Sequence, residues 1–271
     1  MFWRGFTDGF ARLASDYGAN GNSVPLPVCK ETLVTAFNNP GHLIAIVILV
    51  VATIIIVPLV RTRPGKWVTA LSWTIGSGLI INLALWQIIT ARSGNWAARS
   101  TLPLDLCDIA AVVVAVTLFW PHTRLVEISW FWALAGTVQA IITPSYLIEF
   151  PSYDWVQFYG GHCGIVFGAV MLVLGRGIHP QRGAIRRVVA TTIGVTAAVG
   201  AADVITGGNY MFLRHVPGAG SALDLLGPWP WYIVGATGTA TALITALDLP
   251  FWPERRGRRR TAARTSAAVP A

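Results

Sequence analysis

The chain has 271 residues, 54% of them hydrophobic and only 12% charged, and its mean hydropathy is +0.58. Soluble domains carry about 25% charged residues, so this composition excludes a water-soluble globular protein and predicts an all-α, polytopic membrane bundle. Much of the net charge of +8 sits in the tail Arg255-Arg256-Gly257-Arg258-Arg259-Arg260; beside a final membrane helix that reads as a topology and headgroup signal, with no nucleic-acid partner expected.

Residues 1–40 form the first predicted unit. Phe2, Phe6, Phe10, Leu13 and Tyr17 recur at helical spacing, with Arg4, Asp8 and Arg12 off that stripe. The pattern predicts an amphipathic helix lying on the outer membrane surface, or packed as a lid on the bundle; one helix can do both. No apolar core followed by a small-residue cleavage site is present, so no cleavable signal peptide is expected.

Residues 41–252 form the membrane domain. Seven apolar runs are expected to span: His42 to Val60, Trp67 to Thr90, Leu104 to Trp120, Leu125 to Ile142, Val156 to Leu174, Val188 to Thr206, and Trp229 to Leu249. The third is the shortest. Residues 253–271 are rich in Arg, Ala, Thr and Ser without an apolar period, and are expected to be a disordered basic tail. No internal repeat is visible.

Seven spans put alternate loops on opposite sides. Arg61, Arg63, Lys66, Arg124, Arg176, Arg182, Arg186, Arg187 and the tail arginines then share one side, 14 of the 20 basic residues. The positive-inside rule predicts the N-terminus outside and the C-terminus in the cytoplasm. The preference for arginine over lysine, with many alanines and glycines, suggests a GC-rich bacterial genome and hence a multi-pass protein of a bacterial plasma membrane.

That orientation gathers the polar residues at the outer end. Asp105, Cys107 and Asp108 open the third span; Gln139, Thr143 and Pro144 close the fourth; Gln157, His162 and Cys163 lie early in the fifth. Asp203 ends the sixth, with Asn209, Tyr210 and Arg214 just beyond. Ionisable groups within membrane spans are costly and mark sites or pathways, so a polar cavity open to the outer leaflet is expected. Bland roles compete: Asp105 as a cap on the third helix, Gln139 as an interhelical hydrogen bond, Trp229, Trp231 and Tyr232 as an aromatic belt.

Cys29, Cys107 and Cys163 all map to the outer side, where disulfides form. An odd count leaves one thiol over, and Cys29 has either partner open to it. Left free, Cys107 near a helix start is a candidate nucleophile with His162 as its base. Asp105 and Asp108 oppose ionisation of the thiol, or one of them orients His162 as a third member. A zinc site from Cys107, His162, Cys163 and an aspartate matches no zinc spacing, so no metal and no cofactor are expected.

Four stretches carry a resemblance: Leu102-Pro103-Leu104-Asp105-Leu106-Cys107-Asp108-Ile109; Phe131-Trp132-Ala133-Leu134-Ala135-Gly136-Thr137-Val138-Gln139-Ala140; Asn209-Tyr210-Met211-Phe212-Leu213; and Leu226-Gly227-Pro228-Trp229-Pro230-Trp231-Tyr232. In order and spacing they resemble the bacterial YwaF-type membrane proteins, which group with eukaryotic transmembrane protein 164. The resemblance implies a lipid acyltransferase using a membrane cysteine and histidine, here Cys107 and His162. The bacterial pattern often has histidine where this chain has Asp105, which leaves His162 as the base.

The expected function is therefore a cysteine-dependent phospholipid acyltransferase or transacylase at the outer leaflet. Gln139, Asn209 and Tyr210 are candidate donors to the oxyanion or headgroup, Arg214 a phosphate partner, and Asp108 and Asp203 further site residues. Membrane lipids are the expected partners. A small-solute transporter and a non-catalytic lipid-binding protein are the alternatives; against transport stand the lack of a repeat or a broken-helix pair and the apolar inner halves.

Overall fold

The computed structural model describes residues 39–142, 144, 150–216, 222–253 and 255. The expected N-terminal amphipathic helix, Cys29, Thr143 and most of the basic tail lie outside the described residues.

Helix α1 runs from Pro40 to Thr62. Asn39 starts it: its side-chain oxygen accepts from the Gly41 N–H at 2.8 Å and the His42 N–H at 3.3 Å. Pro40 supplies a ready-made first-turn φ. Helix α2 covers Lys66–Arg92 and α3 Leu106–Phe119. Helix α4 begins at Thr123 and passes through a π turn, Ala133–Thr137, into Val138–Ile142. Helix α5 spans Tyr153–Val170, capped by the Ser152 hydroxyl, and ends in a second π turn, Met171–Gly175. Helix α6 (Ala184–Thr206) is bracketed by Gly183 and Gly207, both at positive φ, where a side chain would be strained. Helix α7 (Trp231–Asp248) closes the bundle with a short 3-10 turn.

Six of these helices are long and apolar enough to cross a bilayer. The exception is α3. Its 14 residues reach about 21 Å at 1.5 Å per residue, short of a hydrocarbon core of about 30 Å. It compensates by position. Val114 and Ala115 of α3 are fully buried, and the helix packs against α2, α4 and α5. A helix walled in by protein has no need to match the lipid thickness.

The other helices sort by burial. Half of α4 and 61% of α5 lie inside the protein, against 17% for α1, α6 and α7 and 22% for α2. The peripheral helices turn apolar side chains outward: Val47, Ile48, Ile54 and Ile55 of α1 are all more than half exposed. In water that face would be untenable; in hydrocarbon it is the expected surface.

The two ends of the bundle differ. At the basic end, buried Glu127 accepts from the Gln181 N–H at 2.9 Å and from Arg187 at 2.9 and 2.7 Å. Asp248 is held by Arg255 and by the Trp252 indole, and Arg255 also donates to the Pro180 carbonyl. Each carboxylate there has cationic partners, as buried charge demands. The opposite end, where α3 and α5 begin, carries Cys107, Cys163 and most of the remaining polar side chains among the described residues.

Candidate functional site

Two neighbouring constructions occupy that opposite end. The first is a knot of loops. Asp203, fully buried in the last turn of α6, accepts the Tyr210 N–H through Oδ1 at 2.8 Å. One residue on, the Met211 N–H donates to Asp105 Oδ1 at 2.9 Å. The Tyr210 hydroxyl donates to the Ala98 carbonyl and accepts from the Leu102 N–H, both at 2.8 Å. Asn209 clamps the chain beyond: its Oδ1 accepts the N–H groups of Arg214 and His215, and its Nδ2 donates to the His215 carbonyl. Tyr232 and Trp229 donate to the carbonyls of Phe212 and Leu213.

These ties explain a local cost. Met211 and Phe212 stand at φ of 53° and 54°, a region unfavourable for bulky residues. The surrounding bonds over-determine the loop and hold both there. Asp105 thus serves a tertiary role: although it precedes α3, its side chain makes no capping bond to the helix and reaches the Met211 N–H instead. One side of Asp105 is open, yet surrounding protein removes enough water to hold its carboxyl above the ordinary range; the Met211 N–H draws it back and Asp203 adds to the rise. Burial likewise pushes the Tyr210 phenol up, with the Leu102 N–H opposing and Asp105 and Asp203 reinforcing.

The second construction is the junction of α3, α4 and α5. A Cβ on Gly168 of α5 would stand 3.0 Å from Val114 of α3, so the two helices touch at that level. Both start at the same end. Seven residues toward their starts is about 10.5 Å and almost two whole turns on each helix, which by ideal helix geometry brings Cys107 level with Gly161; a Cβ on Gly161 would itself meet Asn82 of α2 at 2.9 Å. His162 is the next residue. Its Nδ1 lies 2.7 Å from the Phe158 carbonyl and its ring stacks on Phe158 with centroids 4.2 Å apart. Because a carbonyl only accepts, Nδ1 carries the proton, and Nε2 is left as a lone-pair acceptor. No hydrogen bond joins Cys107 to His162.

Cys107 and Cys163 are both free thiols. Cys163 packs among apolar core residues. Cys107 is half-buried beside the Thr137 hydroxyl at the end of the α4 π turn. The two fall short of hydrogen-bond geometry, and Thr137 Oγ1 has no partner at all. Asp108 sits one residue beyond the thiol in the first turn of α3.

The remaining predicted site residues spread out. Gln139 is exposed in the last turn of α4. Asp203, Asn209 and Tyr210 spend most of their hydrogen-bonding capacity on the loop, although Asp203 Oδ2 is buried without a partner. The Arg214 guanidinium donates to the Gly208 carbonyl at 3.1 Å. Of the expected belt, Trp229 and Trp231 are exposed, whereas Tyr232 is buried. Among the described residues no three His, Cys, Asp or Glu side chains gather to hold a metal ion.

Sequence reasoning passed over a buried pair at this end. His42 Nδ1 lies 2.9 Å from the Tyr159 hydroxyl, and the Trp155 indole donates to the Gly41 carbonyl at 2.9 Å. A histidine opening an apolar run of the length of α1 was the signal for it, since a polar ring there needs a partner.

No curated protein and no solved structure matches the chain. The TMEM164 family pattern matches residues 36–248, which takes in all seven helices and both constructions at the cysteine end. On that match, which covers well over half its length, the chain belongs to the TMEM164 family.

Proposed function

We propose that this protein is a cysteine-dependent phospholipid acyltransferase or transacylase working at the outer leaflet of a bacterial plasma membrane. It is a YwaF-like member of its family, with seven spans, the N-terminus outside and the C-terminus in the cytoplasm. The reading is supported by the His162 Nδ1 contact to the Phe158 carbonyl, which leaves Nε2 as the acceptor, and by the common level that ideal helix geometry gives Cys107 and His162.

The reaction runs in two halves. His162 Nε2 takes the Cys107 proton as sulfur attacks an ester carbonyl of a phospholipid. The tetrahedral intermediate collapses to a thioester, and the departing lysophospholipid oxygen takes the proton from His162. In the second half His162 accepts the proton of an acceptor lipid hydroxyl, whose oxygen attacks the thioester. The new ester forms and sulfur regains its proton. Asp108 helps to orient the base, Gln139, Asn209 and Arg214 face the headgroup from the rim, and buried Tyr210 braces the loop beneath it. Asp203 supports them by holding the loop that carries Asn209, Tyr210 and Arg214.

The orientation is supported by the segregation of basic residues: Arg61, Arg124, Arg187 and Arg255 all belong to the end opposite Cys107. The test is acyl transfer by purified protein. Phospholipid with an isotope-labelled acyl chain and unlabelled lysophospholipid are supplied, and products are followed by mass spectrometry. Label should reach the acceptor with wild type and not with Cys107→Ala. Equal transfer by the two proteins would refute the reading.

A further inference from the structure

Among the described residues, Thr137 is the threonine whose hydroxyl is buried without a hydrogen-bond partner. Ten threonines on these helices, Thr53 and Thr192 among them, donate their hydroxyl to the carbonyl four residues back. That back-bond is the ordinary way to satisfy a hydroxyl in an apolar helix. Thr137 is 1% exposed and makes no such bond, nor any other.

Thr137 closes a π turn, Ala133–Thr137, in which the Val138 N–H reaches back five residues to the Ala133 carbonyl. A buried hydroxyl without a partner costs about 1–3 kcal/mol, and π turns inside helices recur at functional sites. The same turn presses against the start of α3: a Cβ on Gly136 would lie 3.1 Å from Leu106. It thereby sets the unpartnered hydroxyl beside the Cys107 sulfur.

We propose that Thr137 is the oxyanion donor of the acyl-transfer site, its hydroxyl donating to the substrate carbonyl oxygen as sulfur adds to the carbonyl carbon. This rests on the Cys107 reading above and extends it to a residue on a third helix. As the C–S bond forms, the carbonyl π electrons move onto oxygen, and the Thr137 O–H meets that charge at a dry site where a fixed donor counts most. When the intermediate collapses, the electrons return to the carbonyl and the lysophospholipid oxygen leaves with the proton held by His162. The hydroxyl keeps its own proton throughout and returns to its unpartnered state.

The experiment compares Thr137→Val, which keeps the shape and removes the hydroxyl, with Thr137→Ser, which keeps the hydroxyl, in the labelled acyl-transfer assay. Thr137→Val should lose about 10²-fold or more in turnover with little change in KM, because the donor acts on charge that exists only in the transition state. Thr137→Ser should stay within about tenfold of wild type. Thermal stability separates the structural alternative: Thr137→Val removes an unsatisfied group and should melt no lower than wild type. Wild-type turnover by Thr137→Val, or an equal loss in Thr137→Ser, would overturn the assignment while leaving Cys107 standing. Absence of transfer and of any Cys107 adduct in wild type would overturn both.

Discussion

Asp203 offers the sharpest separation between a charge that acts and a charge that holds. A carboxylate at the end of a membrane helix is ordinarily read as a proton or ion relay. Here its Oδ1 receives the Tyr210 N–H at 2.8 Å, at the root of a loop whose next two residues sit at positive φ. Asp203→Asn keeps an oxygen in that place and removes the charge; Asp203→Ala removes both. Leaving the Tyr210 N–H without its acceptor costs about 1–3 kcal/mol, which at about 1.4 kcal/mol per tenfold is about 5- to 100-fold in the opening equilibrium of the loop. Met211 and Phe212 would then relax, each shedding strain of about 1–3 kcal/mol, so the opening is local. Hydrogen exchange of residues 207–216, followed by mass spectrometry in detergent or nanodiscs, reads this directly. Asp203→Ala should speed exchange there by about 5- to 100-fold while helices α3 and α5 keep their protection, and Asp203→Asn should stay within a few-fold of wild type. Equal acceleration by both variants would show that the charge matters, and the anchoring account would be wrong.

Three further outcomes follow from the same geometry. Tyr210→Phe loses the bonds to the Ala98 carbonyl and the Leu102 N–H; it should cost about 1–3 kcal/mol, seen as a lower melting temperature, and an unchanged melt would contradict the bridge. Gly208→Ala places a Cβ 2.8 Å from the Arg99 carbonyl oxygen, whereas Gly194→Ala meets nothing within 4 Å; the first should fold poorly and the second like wild type, judged by yield and melting temperature. Asp105, whose carboxyl is held above the ordinary value of 3.8 mainly by burial, favours the folded state most below that value. Its contribution falls as pH rises through the folded-state value. Asp105→Asn should remove that part of the pH dependence of the melting temperature, and an unchanged slope would argue against it.

Much of the fold was legible because membrane burial writes a long, simple signal. The runs from His42, Trp67, Leu125, Val156 and Val188 each grew by only a few residues at their ends in the structure, and the run from Trp229 shifted by two, since caps such as Asn39 and Ser152 lie just outside the apolar stretch. The Leu104 run was harder: a helix walled in by protein can be short, and 14 residues do not announce whether they span. The site was legible as an inventory and not as an arrangement. That Cys107 and His162 belong to helices starting at the same end could be read from the sequence. That Asp203, Asp105 and Tyr210 meet around one strained loop could not, because those bonds join residues about a hundred positions apart. Neither the π turn that Thr137 closes nor the unpartnered hydroxyl left a trace in the apolar sequence.

The central claim is a thioester on Cys107, and trapping it is the most direct measurement. Purified protein is mixed with phospholipid, quenched in acid, and its intact mass and Cys107 peptide are recorded with and without neutral hydroxylamine, which cleaves thioesters. The account predicts an added acyl mass on Cys107 in wild type, removed by hydroxylamine and strongly reduced in His162→Ala. An acyl adduct that forms equally in His162→Ala, or a Cys107 that stays unmodified while label still moves between lipids, would contradict it.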